Sequence, residues 1–188
     1  MRNVVYTRRM ILKQTRRFII QKGFRNVTAR NLATYMEMST QPIYKQFDSI
    51  QSLQKEVIEE YFQKLAADFI SQGLSKDNAL EQFALYFAAH SQKEYPWFCE
   101  LFLTKKRDAD VSASVRGCSY ELFKSLSGME HTLEPATLAQ VHENYLALLI
   151  GATVWEKQRG KELTREEWHL LLQPQFSRLM QIKGTIEE

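Results

Sequence analysis

The stretch TARNLATYMEMSTQPIYKQF, residues 28–47, places Gln41, Tyr44 and Lys45 within one helical turn, with Thr28 and Arg30 shortly before them. These side chains give and accept hydrogen bonds and carry positive charge. None is an activated nucleophile, and no general base accompanies them. Their chemistry is recognition of an anionic, hydrogen-bonding surface. Gln41 suits a base edge, most simply adenine, while Tyr44 and Lys45 suit phosphates that fix register. Thr28 and Arg30 stand where a helix would begin, and a helix N-terminus favours phosphate. Pro42 offers an apolar ring of the kind that meets a thymine methyl.

The remaining chain supplies no competing chemistry. There is no nucleophile elbow, phosphate loop, HExxH or paired-carboxylate pattern, so no catalytic residue and no enzyme class is assigned. Four scattered histidines, His90, His131, His142 and His169, have no metal-ligand spacing, and neither a metal nor a cofactor is expected. Cys99 and Cys118 form no C-x-x-C, and two free thiols in a reducing cytosol are preferred to a disulfide. The longest apolar-rich run, residues 145–155, is too short to span a membrane, and the basic N-terminus has no secretory apolar region. A cytoplasmic protein is expected.

Charge is distributed unevenly over the 188 residues. Residues 1–47 hold ten Lys/Arg and one acidic residue, Glu37, a formal +9; residues 48–188 hold fifteen basic and twenty-one acidic residues, a formal −6. A basic end on an acidic body is either a polyanion-binding surface or a merely solvated basic face.

Apolar spacing is helical throughout and strand signals are poor. Helices are expected over 7–22, 29–36, 40–46, 49–73, 76–93, 95–104, 109–127, 135–159 and 164–183, interrupted at Gly23, Gly73, Pro96, Gly128, Pro135 and Gly160. In the first, Arg9, Lys13, Arg16 and Arg17 form a basic face behind an apolar one. Thr28 and Ser39 are the expected N-caps of the second and third. With Ser39 as cap, Pro42 falls in the first turn, where an amide has no partner within the helix, so the proline costs no ladder bond. Two short helices around a tight turn, joined by Leu32, Met36, Met38 and Ile43 with small Ala33 at the crossing, make a helix-turn-helix.

The run from Ile11 to Val57 resembles the TetR family of bacterial transcriptional regulators. The resemblance rests on the first helix ending at Lys22-Gly23-Phe24, on Thr28 and Leu32-Ala33, and on Ser39, Ile43-Tyr44, Phe47, Ser49 and Leu53. It implies an all-α fold of about nine helices. Residues 1–48 would be a three-helix DNA-binding head, residues 49–188 an effector-binding and dimerisation body, and helix 49–73 the connector. It implies DNA contacts by Thr28, Arg30, Thr40, Gln41, Pro42, Tyr44 and Lys45. The partners implied are a double-stranded operator of inverted repeats, a second copy of the chain paired through helices 135–159 and 164–183, and a small, largely apolar effector that releases a repressor. Two positions depart from the family pattern: Glu37 stands where the turn usually has glycine, and Ile50 where lysine is common. Arg8 and Arg9 are expected to compensate by reaching a neighbouring groove or phosphates. A protein-interaction module or co-activator with weak DNA binding is the alternative.

Helix 135–159 is apolar over more than one stripe: Leu138, Val141, Tyr145, Leu148, Leu149 and Trp155 are expected on one side, with Leu146, Ile150 and Thr153 widening the arc. Such a helix is either central to a monomer or shared with a second copy, Gly151 and Ala152 permitting close approach. Aromatic residues of the body are either core or cavity wall. The candidate effector pocket comprises Phe83, Phe87, His90, Trp97, Phe98, Phe102, Tyr120, Phe123, Asn144 and Tyr145. Pro174 is expected to kink the last helix.

Overall fold

A computed structural model describes residues 6–73, 78–104, 108–129 and 132–174, and these form nine helices with no strand among them. Local signals place most boundaries. Helix α1, Arg8–Lys22, begins where the Thr7 hydroxyl accepts the Met10 amide at 3.3 Å, and it ends at Gly23, whose φ of 82° suits glycine. Helices α2, Ala29–Tyr35, and α3, Gln41–Gln46, follow. Helix α4, Ile50–Ile70, starts in a reciprocal cap: the Ser52 amide donates to Ser49 Oγ at 3.0 Å and the Ser49 amide to Ser52 Oγ at 3.1 Å. Helices α5, Ala79–Lys93, and α6, Tyr95–Phe98, are followed by α7, Ala109–Ser127, and α8, Pro135–Arg159. Residues 165–174 are the described part of α9. The expected residues 76–77 and 175–183 lie outside the described residues, as does any kink produced downstream of Pro174.

The expected single helix over 95–104 is instead α6 followed by a wider turn, Cys99–Leu103, in which the Thr104 amide reaches back five residues to the Cys99 carbonyl at 3.0 Å. The Thr104 hydroxyl also donates to that carbonyl, at 3.2 Å. Such a π-type turn shifts the helical register by one residue. Trp97, Phe98 and Leu101 are all buried across it.

The described chain divides into two compact units. The first comprises the chain up to Lys64 together with Pro96–Cys118. Its buried set includes Ile11, Phe18, Ile19, Phe24, Leu32, Ile43, Phe47, Leu53, Val57, Ile58 and Trp97. Rings join its helices: Phe18 meets Tyr35 edge-on at 5.3 Å, and Trp97 lies 5.7 Å from Phe24 and 5.9 Å from Tyr61. Arg16 does not belong to an outer basic face as expected. It is half-buried, its guanidinium 5.0 Å from the Trp97 ring and 5.7 Å from Tyr61, because the aromatic pair attracts the cation. Arg9, Lys13 and Arg17 are exposed.

The second unit comprises Leu65–Tyr95 and the chain from Ser119 onward. The apolar stripe of α5, Leu80, Phe83, Ala84, Phe87 and Ala88, is buried as its spacing predicts. Tyr145 donates its phenol to the Leu80 carbonyl at 2.5 Å, and burial raises its pKa well above the ordinary tyrosine value. Ser119 and His142 meet at 3.0 Å in the same interior. Buried Glu156 accepts the Leu163 amide at 2.9 Å and fixes the chain that leaves α8.

Candidate nucleic-acid interface

Helix α2 starts at Thr28, whose hydroxyl accepts the Asn31 amide at 3.1 Å, as its residue type predicts. Asn31 in turn donates through its side chain to the Asn26 carbonyl at 2.8 Å, tying the helix start to the preceding turn. Thr28 and Arg30 are exposed.

The turn after α2 is closed by two amides. Met38 donates to the Ala33 carbonyl at 2.9 Å and Glu37 to the Thr34 carbonyl at 3.3 Å. This is the Schellman arrangement, whose closing residue is left-handed and usually glycine. Here that residue is Glu37, with φ 53°. The departure noted in the sequence therefore falls on a position that does require positive φ. A side chain in that region costs roughly 1 kcal/mol.

Ser39 is not the cap of α3. The N-cap is Thr40, itself in helical conformation, and no side chain caps the helix. The reason is local: the turn carries one more residue before the helix, and the Ile43 amide already bonds the Thr40 carbonyl at 3.1 Å. Pro42 becomes the second helical residue, still among the amides without an intrahelical partner.

Ile43 and Phe47 point inward, at 0% and 3% exposure, and fix the rotation of α3. Gln41, Tyr44 and Lys45 consequently face out, Tyr44 with 57% of its surface free, and Thr40 and Pro42 are half-buried at the tip. None of the side chains of Gln41, Tyr44 and Lys45 forms a hydrogen bond or ion pair with another described residue. An exposed phenol thus stands beside an exposed ammonium on a short helix pinned from behind.

Arg8 has partners within the protein itself. Its guanidinium pairs with Glu56, donates to the Gln46 carbonyl, and lies 4.3 Å from the Phe47 ring centre. It ties α1, α3 and α4 together while half of its side chain stays exposed. Nothing local to Arg8 signals this, because its partner stands forty-eight residues away. Arg9 remains exposed. Ile50 is half-buried at the start of α4, next to the Ser49–Ser52 cap, and supplies no cation there.

The candidate effector residues fall into two sets. Trp97, Phe98 and Phe102 belong to the first unit, Phe98 and Phe102 with ring centres 5.3 Å apart. The others belong to the second. Phe83 and Phe87 are buried neighbours at 5.9 Å. Phe123 lies 5.5 Å from Tyr145, and both Phe123 and Tyr120 flank His142. His90 stacks on Tyr86 at 5.7 Å and lines an open cleft of about 730 Å³ with Gln82, Lys93 and Arg165. Asn144 is exposed and accepts a hydrogen bond from Gln140 at 3.2 Å.

Helix α8 is rotated differently from the expectation. Leu138, Tyr145, Leu149 and Ala152 are buried, whereas Trp155 is 55% exposed. Ten residues separate Tyr145 from Trp155, which at about 100° per residue turns their side chains well apart. Trp155 instead lines a groove of about 610 Å³ with Leu148, Gly151, Leu163, Leu170 and Leu171. Among the described residues, no atom beyond the adjacent residues and the backbone of its own helix lies within 4 Å of where a Cβ on Gly151 would stand. Among the described residues no helix is long and apolar enough to cross a membrane, and no group of three His, Cys, Asp or Glu is placed to hold a metal.

Residues 11–57 match the family model of the bacterial regulatory proteins of the tetR family. No curated protein matches the chain significantly. Solved structures share its fold. A putative tetR family transcription regulator from Shewanella sp. PV-4 is 17% identical, with 92% of this chain and 95% of that one covered at a TM-score of 0.60. The fatty acid degradation regulator FadR from Bacillus halodurans is 11% identical, with 88% and 94% covered at 0.61. AibR, in complex with isovaleryl coenzyme A and operator DNA, is 15% identical, with 88% and 96% covered at 0.55.

Proposed function

We propose that the chain, whose residues 11–57 match the tetR family model and whose fold is that of solved tetR family regulators, is a sequence-specific, homodimeric transcriptional repressor released from its operator by a small molecule. The observation that carries the reading is the outward row of Gln41, Tyr44 and Lys45 on a helix whose inner side is pinned by Ile43 and Phe47. In this reading residues 1–48 are the DNA-binding domain, 49–188 the effector-binding and dimerisation domain, and helix 49–73 the connector. Gln41 reads a base edge, Thr40 and Pro42 meet the groove floor at the helix tip, and Thr28, Arg30, Tyr44 and Lys45 hold phosphates. Two heads on one dimer occupy half-sites of an inverted repeat, about one helical turn apart.

The apolar groove on α8 and α9 supports self-association through the region 135–159 and 164–183. Trp155, Leu170 and Leu171 are large apolar side chains gathered on one exposed face, as at the core of a dimer interface. The effector is small and largely apolar, taken up by the aromatic body. It acts by binding more tightly to a form of the dimer whose head spacing no longer fits the operator. AibR, a protein of the same fold, is known in complex with isovaleryl coenzyme A and operator DNA, which supports a chain of this architecture serving both ligands. The role is exercised in the cytoplasm and needs no catalysis or cofactor.

A second reading, an interaction module with weak DNA binding, is favoured by Glu37 in the turn and Ile50 at the start of α4. Selection of duplexes from a randomised pool, followed by gel shift across a salt series, separates the two. A consensus inverted repeat supports the repressor. Retention of DNA without sequence preference supports the second reading.

A further inference from the structure

The turn that precedes α2, Phe24–Asn26, is held from three directions within its unit. The Gln54 side chain of α4 donates to the Phe24 carbonyl at 3.1 Å. Trp97 of α6 packs on the Phe24 ring. The third hold is a charge: the Phe24 amide donates to Glu100 Oε2 at 3.4 Å, and the Thr104 hydroxyl shares its single proton between the Cys99 carbonyl at 3.2 Å and Glu100 Oε1 at 3.4 Å. The carboxylate rests against the bare backbone of Gly23, 3.5 Å from where a Cβ would stand. Glu100 lies in the π-type turn, seventy-six residues beyond Phe24, and lines an open cleft of about 500 Å³ with Lys22 and Arg25. The turn it holds leads directly to the DNA-facing residues, since the Asn26 carbonyl accepts Asn31, whose amide is capped by Thr28.

We propose that Glu100 is a positioning residue for DNA binding: its carboxylate clamps the Phe24 amide and thereby sets where Thr28 and Arg30 present themselves to phosphate. The inference rests on the DNA-binding reading above. A carboxylate accepting a backbone amide is a charge-assisted bond, and its removal leaves a half-buried amide without that partner. Because the segment bearing Glu100 is covalently continuous with α5 and α7, the clamp also connects the head to chain that runs into the second unit.

The test is a double-mutant cycle on full-length protein, read by fluorescence anisotropy with the duplex selected by the wild-type chain. Glu100→Ala is expected to weaken binding about fivefold and to lower the thermal midpoint by a few degrees, the protein remaining folded. Glu100→Gln, which keeps an acceptor oxygen, restores most of the affinity. The loss is non-additive with Arg30→Ala, because both act on the same phosphate contact, and additive with Lys45→Ala on a different helix. Should Glu100→Ala fail to fold, Thr104→Val, which removes the hydroxyl shared between Glu100 and the Cys99 carbonyl, gives a smaller loss in the same pattern. Wild-type affinity in the folded Glu100 and Thr104 variants, or full additivity with Arg30→Ala, overturns the clamp while leaving the DNA reading intact. A wild-type chain that selects no sequence overturns both.

Discussion

Helices α3 and α8 both leave a face uncovered, and the two faces have opposite chemistry. On α3 the free side chains are an amide, a phenol and an ammonium; on α8 and the described part of α9 they are Trp155, Leu170 and Leu171. Each is fixed from behind by buried neighbours, Ile43 and Phe47 on α3, Tyr145 and Leu149 on α8. In the function proposed above, the difference in chemistry assigns the two faces to different partners. Charged and hydrogen-bonding groups lose nothing in water and gain most against an anionic lattice, with a salt dependence that follows. Large apolar groups remain costly in water until another apolar surface removes them from it. One face therefore suits DNA and the other a second copy of the chain.

The largest expected effect comes from attacking the apolar face. Trp155→Asp combined with Leu170→Asp should yield monomers in sedimentation analysis and weaken operator binding about a hundredfold, since each head must then bind alone. Both positions are exposed, so secondary structure should persist. Dimers of unchanged stability would remove the groove from the interface. Next comes specificity on the polar face: Gln41→Ala should relax discrimination at one base pair by about 1–3 kcal/mol, measured against a panel of single-base variants of the duplex. Uniform weakening at every position would reassign Gln41 to the backbone. Lys45→Ala and Tyr44→Ala should each weaken all duplexes about fivefold, and Lys45→Ala should lower the slope of log affinity against log salt by about one. The smallest expected effect is in the turn. Glu37→Gly should raise unfolding stability by about 1 kcal/mol in urea titration, because glycine accepts the left-handed conformation more easily. A loss of stability would mean that Glu37 is engaged in a favourable contact that outweighs its backbone cost.

What sequence made legible follows from how local the cause is. Helices α7 and α8 run over 109–127 and 135–159 as expected, because Gly128, Pro135 and Gly160 terminate or start them by backbone constraint alone. The Thr28 cap was equally readable, since it depends on neighbours within a few residues, whereas the special status of position 37 was legible only through the family resemblance, which has glycine there. Ser39 misled because two adjacent hydroxyl residues precede α3 and the turn consumes one more of them than the cap rule assumes. Trp155 misled because an apolar residue on an over-apolar helix carries no mark of which side it joins. Arg8 and Glu100 were opaque for a stronger reason. Their partners, Glu56 and the Phe24 amide, stand 48 and 76 residues away, and no periodicity connects such pairs.

The central claim is that α3 reads sequence. Its most direct test is anisotropy titration of the wild-type chain, at about 150 mM salt, against the selected duplex and a scrambled duplex of equal length and composition. The account predicts two chains per selected duplex and a preference of at least about a thousandfold over the scrambled one. Equal affinity for both duplexes would contradict it.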